Sequence, residues 1–385
     1  MIMKRRASLQ LIGGGFVFAA VPALTACSSD LPAQALVAWQ GPGDEPDLRK
    51  WMLGYAILAP NSHNLQSWRV DLRQEGLITL YCDTNRLLPE TDPFSRQILM
   101  AQGTFLELLD MAAREKGFRA DIHLFPDGEF GPQAVDQRPV AQIRLRADAS
   151  VPKDPLFAQI LKRHTNREAY EATAIEAGAV TAIQASVASP GMRVGVVGQG
   201  DALQQHRAIA KEAWRIELTT PRTILESFKV LRLGPDEIAQ HRDGISVNAP
   251  IVRALVSLGL FDRSKAPAPD DMAVTGEIKK FNTHIDSTGA FFWLITDGND
   301  RKTQVNAGRA YVRAQLAATA LGLSMHPLSQ ALQEYPEQAK PYADIHRLLG
   351  ADPSRQTVQM WARLGYAPQV QASPRRGVAS HLIGA

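Results

Sequence analysis

The apolar positions of this 385-residue chain change period along its length, and the changes mark elements. Leu48 to Ala59 repeats at helical spacing; Trp68, Val70 and Leu72 then alternate with Arg69, Asp71 and Arg73, and after Gln74-Glu75-Gly76 comes the apolar run Leu77 to Tyr81. That pattern predicts a helix followed by a hairpin. A long helix is expected over about 97–116, with strands at Arg119 to Phe125 and Val140 to Leu145. A second series opens with a helix from Pro155 and adds strands at Arg193 to Val197, Phe291 to Thr296 and Gln359 to Gly365. Helices near 201–217, 248–260, 299–321 and 341–349 separate them. Strands and helices do not alternate as regular βαβ units, so the expected class is α+β, with helices around antiparallel or mixed sheet. Between Asp262 and Thr275 the run Arg-Ser-Lys-Ala-Pro-Ala-Pro-Asp-Asp is too rich in proline for a helix and reads as a surface loop, a candidate lid.

The chain echoes itself at an offset of 205 residues. Gly103, Ala112, Ala113 and Gly117 of the first long helix align with Gly308, Ala317, Ala318 and Gly322 of the second. Small residues at these spacings let two helix backbones approach closely, as a pseudo-twofold pairing of duplicated halves requires. Coincidence between two alanine-rich helices is the alternative.

With 45% apolar and 21% charged residues the chain is globular, not disordered or collagen-like, and holds enough apolar material for one large or two medium cores. Its first 26 residues change the picture of charge. Lys4, Arg5 and Arg6 precede an uncharged stretch, Ala7 to Ala26, too short and too rich in Gly and Ala to span a bilayer, which reads as an export signal. Without those three residues the 42 basic side chains become 39 against 39 acidic, which leaves no general attraction to nucleic acid or acidic membrane. Arg5-Arg6 followed by Ser8-Leu9 and the glycines at 13–15 resembles a twin-arginine signal, a route for proteins exported already folded around a cofactor. Leu24-Thr25-Ala26-Cys27 resembles the lipobox of bacterial lipoproteins, which implies lipid modification of Cys27 and a periplasmic, membrane-anchored protein. A plain signal peptide with an incidental cysteine is the alternative. Residues 28–47 lack periodicity and read as a tether, so the organisation expected is signal 1–26, tether 27–47, first half 48–150 and second half 151–385. Cys82 is the only other cysteine, so no intramolecular bridge remains once Cys27 carries lipid.

No dinucleotide glycine motif, P-loop, H-E-x-x-H, C-x-x-C or G-x-S-x-G occurs, and the nine histidines form no pair at metal-ligand spacing. Hydrolysis by serine or zinc is unsupported, and a chain without its own reactive constellation borrows chemistry from a cofactor. Two segments stand out. Ala59-Pro60-Asn61-Ser62-His63-Asn64-Leu65-Gln66-Ser67-Trp68 gathers short amides and hydroxyls suited to the edge of a planar heterocycle, or to a helix C-cap with an Asx turn. Leu156, Phe157, Ile160 and Leu161 predict a buried helical face, and on that helix Arg163 and Arg167, four apart around Thr165 in Lys162-Arg163-His164-Thr165-Asn166-Arg167, reach the same spot and suit a phosphomonoester, or else form a solvated basic helix end.

The first segment resembles the A-P-S-x-x-N-x-Q-P-W stretch of the nitroreductase family, and Lys162 to Tyr170 resembles the R-R-S-x-R-x-F stretch that opens each nitroreductase subunit. Ser67, Asn61 and Thr165 depart from that pattern. The order of the two stretches is inverted, as if two subunits were fused, and with Ser373-Pro374-Arg375-Arg376 this resembles the Acg-like branch. The resemblance implies a nitroreductase-like sandwich of two fused halves acting as a monomeric pseudo-dimer, with FMN as cofactor and one FMN per chain. It assigns the phosphate to Arg163, Thr165 and Arg167, closed from the other side by Arg375 and Arg376. Pro60, Asn61, Ser62, Asn64 and Gln66 are to line the isoalloxazine and ribityl chain, and the backbone at Ser329 and Gln330 is to face flavin N5 and O4. The implied activity is oxidoreduction between a small-molecule donor and an acceptor such as a nitroaromatic or quinone, without nucleic acid or metal. Export leaves little nicotinamide to serve as donor, and a protein that stores FMN under a covered face is the competing class.

Overall fold

A computed structural model describes residues 30–187, 189–259 and 261–384. The expected export signal and Cys27 lie outside the described residues.

The first half begins with the short helix α1 (Ala33–Leu36) and α2 (Leu48–Ala56). Asp47 caps α2 by accepting from the amides of Arg49 and Lys50. Then come β1 (Trp68–Asp71), β2 (Leu77–Cys82), the long helix α3 (Arg96–Glu115), β3 (Phe118–Leu124) and β4 (Pro139–Ala147). The strands form an antiparallel sheet in the order β1-β2-β4-β3.

The second half repeats that plan with an insertion. Helix α4 (Ala177–Ser186) leads into β5 (Met192–Val197), and the chain then leaves the sheet for α5 (Gly200–Thr219), α6 (Pro221–Lys229), β6 (Leu231–Leu233), α7 (Gly234–His241), β7 (Ile245–Val247), α8 (Pro250–Ser257) and α9 (Met272–Asp286). It returns through β8 (Ala290–Asp297), the long helix α10 (Arg301–Ala320), β9 (Ser324–Pro327), α11 (Ala339–Leu348) and β10 (Gln356–Gly365). The second sheet runs β5-β8-β10-β9, again antiparallel. Each half is thus helix, two strands, long helix, edge strand, inner strand: a fused α+β pair.

The two long helices meet through the glycines of the sequence echo. A Cβ on Gly103 would lie 1.8 Å from the Val305 carbonyl oxygen, and one on Gly308 would lie 1.9 Å from that of Met100, so backbone rests on backbone at both points. Val305 and Met100 each precede the echoed glycine by three residues, which makes the contact reciprocal, as at a twofold axis. Gly117 and Gly322 end the helices in the same left-handed conformation, with φ of 74° and 72°. Arg96 and Arg301, also 205 apart, cross over reciprocally: Arg96 reaches the Leu332 carbonyl and Glu334, while Arg301 donates to the Phe94 carbonyl at 2.8 Å and that of Gly131 at 2.7 Å. The cores interlock accordingly. Val305, Val312 and Leu316 of α10 sit in the apolar cluster of the first sheet, and Met100 of α3 sits in that of the second.

Three expectations are corrected. The segment expected as a tether folds onto the body: α1 and the turn Val37–Gln40 pack there, with Ala35 buried and its carbonyl accepting from the Arg375 amide. The helix expected from Pro155 is only a 3-10 turn, Pro155–Gln159, after which Thr165 bridges to Met325 at the edge of the second sheet. The loop expected over 262–275 ends earlier, because Asp271 accepts from the Ala273 amide and starts α9.

Candidate functional site

The loop between α2 and β1 is held in an unusual conformation. His63, Asn64 and Gln66 all have positive φ, at 46°, 53° and 53°, a region that costs a residue with a side chain about 1 kcal/mol or more. Its amides offset that cost. Asn61 accepts from the Gln66 amide at 2.8 Å and donates to the Ala59 carbonyl at 3.1 Å. The fully buried Gln66 side chain donates to the Arg242 carbonyl at 2.9 Å, and the Gly244 amide donates to the Asn64 carbonyl at 3.0 Å, so the insertion of the second half clamps the loop of the first. Thr104 on α3 donates to the Pro60 carbonyl at 2.8 Å, and Ser62 stands in a 3-10 turn whose carbonyl accepts from Leu65.

Two arginines converge beneath this loop. Arg163, 2% exposed, donates to the Leu58 carbonyl at 3.0 Å and to Gln315 Oε1 at 3.2 Å. Arg375, 4% exposed, donates to the same Leu58 carbonyl at 3.4 Å, to that of Ala59 at 3.1 Å and to Asn64 Oδ1. Both guanidiniums lie over the indole of Trp39, their centres 5.5 and 5.2 Å from the ring. Neither has a carboxylate partner among the described residues, and the Nε of each is buried without an acceptor. Burial lowers the pKa of Arg163 to about 10, and burial together with the charge of Arg163 pushes Arg375 well below the ordinary arginine range. Two desolvated cations side by side are costly unless an anion completes them. Among the other buried arginines Arg96 is completed by Glu334, and the half-buried Arg313 by Glu107 and Asp154. Arg301 and Arg363 donate to carbonyl and side-chain oxygens without a carboxylate partner among the described residues, so what sets Arg163 and Arg375 apart is that two such cations share one site.

The remaining expected residues divide. Arg376 braces the loop, its amide donating to Gln66 Oε1 at 2.9 Å and its Nη2 to the Gln66 carbonyl at 2.6 Å. It therefore stands beside the pair and not inside it. Burial and the nearby charge of Arg86 lower its pKa to about 10 against the opposing pull of Asp243 and Asp83, which are themselves paired with Arg86. Residues 163–167 are extended along β9 and not helical, yet Arg163 and Arg167 both lie near Tyr311. Arg167 keeps solvent access while surrounding protein lowers its pKa; Tyr170, Tyr311, His63 and His326 are its neighbours. The Gln330 side chain hydrogen-bonds the buried Glu217 of α5, and the Ser329 carbonyl accepts from Leu332 at 2.8 Å; neither bond engages the backbone amides through which these two residues were expected to act.

Around Arg163 and Arg167 several polar atoms lack partners: His63 Nδ1, Tyr311 Oη and Gln315 Nε2. Burial, reinforced by Arg167, holds His63 at about 4, and burial with Arg167 and Arg363 keeps His326 well below its usual range, so both imidazoles are neutral at neutral pH. Arg363, fully buried, fixes the wall: it donates to the Glu168 carbonyl at 2.9 Å and lies 3.9 Å over the Tyr170 ring. His284 of α9 hydrogen-bonds the Arg167 carbonyl at 2.9 Å. Sequence reasoning did not single out Trp39, Tyr311, Gln315 or Arg363. Tyr311 and Gln315, four apart, were visible as a polar interruption on an otherwise small and apolar face of α10; Trp39 had no such signal.

The pseudo-twofold axis carries Gln315 onto Asp110 and Met325 onto Ala120, and there an open cavity of about 580 Å³ is lined by Asp110, Arg114, Arg119, Ala120, Asp121 and Arg309 among others. Its arginines are neutralised within the protein: Arg309 pairs with Glu107 at 2.7 Å, Arg114 with Asp110 at 2.9 Å and Arg119 with Asp121 at 3.2 Å. Of the two related positions only one presents uncompensated positive charge. Among the described residues no group of His, Cys, Asp and Glu is placed to hold a metal ion, and no helix is long and apolar enough to cross a membrane.

Fold and site together define an α+β protein of fused halves, each with its own four-stranded sheet, and a buried guanidinium pair at their junction. No protein-family model matches the chain. In sequence it is similar to Rv3131 of Mycobacterium tuberculosis strain H37Rv, provisionally named an NAD(P)H nitroreductase, with 26% identity over 337 residues, covering 84% of this chain and 86% of that protein. It is also similar to the protein acg of the same organism, with the same provisional name, at 30% identity over 127 residues, 31% of this chain and 35% of acg. Among solved structures, the FMN-dependent nitroreductase NfnB of Mycobacterium smegmatis, in complex with NADPH, matches at a TM-score of 0.36 with 17% identity over 58% of this chain and 94% of its own. So loose a superposition carries no residue correspondence. The likeness to the named relatives supports the nitroreductase family for this chain.

Proposed function

We propose that the protein is an FMN-binding oxidoreductase of nitroreductase type, exported and anchored through lipid on Cys27, with one flavin per chain. The observation that carries this reading is the Arg163–Arg375 pair, buried on Trp39 without a counter-ion. A phosphomonoester dianion matches two adjacent guanidiniums in charge and in planar donor geometry. The site also suits the rest of the cofactor: Tyr311 and Gln315 offer unused polar atoms beside the pair, and the rigid Pro60–Gln66 loop walls it with short amides. The ion-paired cavity at the symmetry-related position supports a stoichiometry of one.

When bound, FMN would supply the electron transfer. The chain's own residues would set its conditions. Arg163 and Arg375 would hold the phosphate, Thr165 would stand beside it, and Arg376 with Asn61 and Gln66 would keep the loop in its left-handed conformation. Arg167, the most exposed cation of this group, would stabilise negative charge developing beside it. His63 and His326, neutral because they are buried near arginines, would act as hydrogen-bonding groups without adding charge.

The relatives' names carry NAD(P)H, whereas an exported protein needs a donor available outside the cytoplasm. Anaerobic titration of the flavin-loaded protein with NADPH and with a reduced quinone tests the enzyme reading and names the donor class. A flavin that accepts electrons from neither, while dithionite reduces it, would establish a storage protein in place of an enzyme.

A further inference from the structure

The point where the anchored segment joins the body is fixed. The Asp30 carbonyl accepts from Asn248 Nδ2, and the Leu31 amide donates to Gln371 Oε1 at 2.9 Å. Three residue steps separate Asp30 from Cys27, so even a fully extended chain puts the two within about 11 Å of each other. A lipid on Cys27 would therefore hold the bilayer surface close to Asn248. Helix α8 begins two residues after Asn248 and, at eight residues, is about 12 Å long, so all of it lies within roughly 20 Å of the entry point.

This corner of the molecule is where apolar side chains face solvent. Ile251 is 44% exposed and Leu258 70%, seven residues apart and thus on one face of α8 and the turn that follows it. Met272, 64% exposed, opens α9, whose Val274 shares a small apolar cluster with Val252 of α8. Three of the six large apolar side chains exposed among the described residues lie here. Lys265 pairs with Asp262 at 2.8 Å and Arg263 with Glu237 at 2.7 Å, and Arg253 of α8 and Asp270 beside the face are of opposite sign, so Coulomb attraction to headgroups is not what this face offers.

We propose that the face formed by Ile251, Leu258 and Met272 rests in the interfacial layer of a lipid bilayer, held there by the anchor at Cys27. The proposal relies on the lipoprotein reading above for the anchor, and on the chain path and the exposed side chains for the face. Three side chains give weak binding alone, but confinement within about 11 Å of the membrane converts weak contact into a persistent orientation.

The test uses the mature chain with a single label at Leu258→Cys, or at Met272→Cys. Cys82 is buried with its thiol pKa raised and does not compete for the label. A second protein labelled at Ser150→Cys, in an exposed turn of the first half, serves as reference. In phosphatidylcholine vesicles containing a lipid-borne nitroxide, the label at 258 or 272 should be quenched at least about threefold more strongly than that at 150. Equal quenching, or a 258 label that stays water-exposed on a vesicle-bound protein, overturns the proposal. So does shielding of the label without vesicles, which would show a second copy covering the face. Mass analysis of the N-terminal peptide tests lipidation separately. If Cys27 proves unmodified, the chain carrying Cys27→Ser and the same single label can be held to nickel-chelating vesicles through an N-terminal hexahistidine, and the same quenching ratio then decides whether the face meets the bilayer.

Discussion

Replacing Arg163 with methionine should have opposite effects on ligand binding and on the stability of the ligand-free chain. Methionine keeps an unbranched, polarisable side chain against Trp39 and removes the charge. The burial that lowers the arginine pKa from 12.5 to about 10 corresponds to about 3 kcal/mol of unfavourable charge burial that the variant no longer carries. Against this stand the lost hydrogen bonds to the Leu58 carbonyl and to Gln315, together about 1–3 kcal/mol. The ligand-free variant should therefore unfold within about 1–2 kcal/mol of the parent, on either side, where a large buried side chain normally costs about 3–5 kcal/mol. FMN affinity should fall by about 1.5–3 kcal/mol, roughly ten- to a hundredfold, through loss of a charge-assisted bond to phosphate. Riboflavin, which lacks the phosphate, should bind both proteins equally. Denaturant unfolding and flavin-fluorescence titration measure the two sides. Unchanged FMN affinity, or a loss above about 3 kcal/mol in the ligand-free chain, would overturn this expectation, the latter by showing that Arg163 is already compensated.

Trp39→Leu removes the ring beneath both guanidiniums and should weaken FMN binding by about 1–2 kcal/mol in the same titration. Gly103→Ala drives a methyl group into the Val305 carbonyl, where only backbone can yield, and should cost about 3 kcal/mol or more in thermal unfolding; Gly308→Ala should match it. His206, stacked on Phe291 at 5.1 Å with neither ring nitrogen bonded, has its pKa lowered by burial from 6.5 to about 4. The unfolded chain takes up that proton first, so stability is fully present above pH 6.5 and falls as pH drops towards 4. His206→Phe should consequently gain about 2 kcal/mol over the parent at pH 5 relative to pH 7.5, and a parallel pH dependence in the two proteins would contradict this.

The fold was readable where local pattern and tertiary structure agree. The period changes around residues 68–82 and the runs at 291–296 and 359–365 became strands because their apolar sides face the two cores. The glycine echo was legible because close backbone approach admits no substitute at Gly103 and Gly308. Helices α4, α6, α7 and α9 were not anticipated although they are local, and the shortest elements left unpredicted are those whose stability is not local. Strand β9 is four residues long and exists through pairing with β10, and β6 and β7 are three residues each. Segment 33–40 folds because Trp39 is covered by arginines more than a hundred residues away. In the site, Arg163, Arg375, Asn64 and Gln66 were recognisable by residue type and do meet in space. The helical spacing expected for residues 163–167 is replaced by a segment drawn out along β9 through its bridge from Thr165 to Met325, a pairing with no local signal.

Whether the guanidinium pair is a flavin phosphate site is decided by the flavin content of the purified mature chain, set against that of the Arg163→Met and Arg375→Met variants. One FMN per chain is expected in the parent and loss of most of it in each variant, with the fold intact by circular dichroism. Two flavins per chain, or a parent that stays colourless after incubation with FMN, would contradict it.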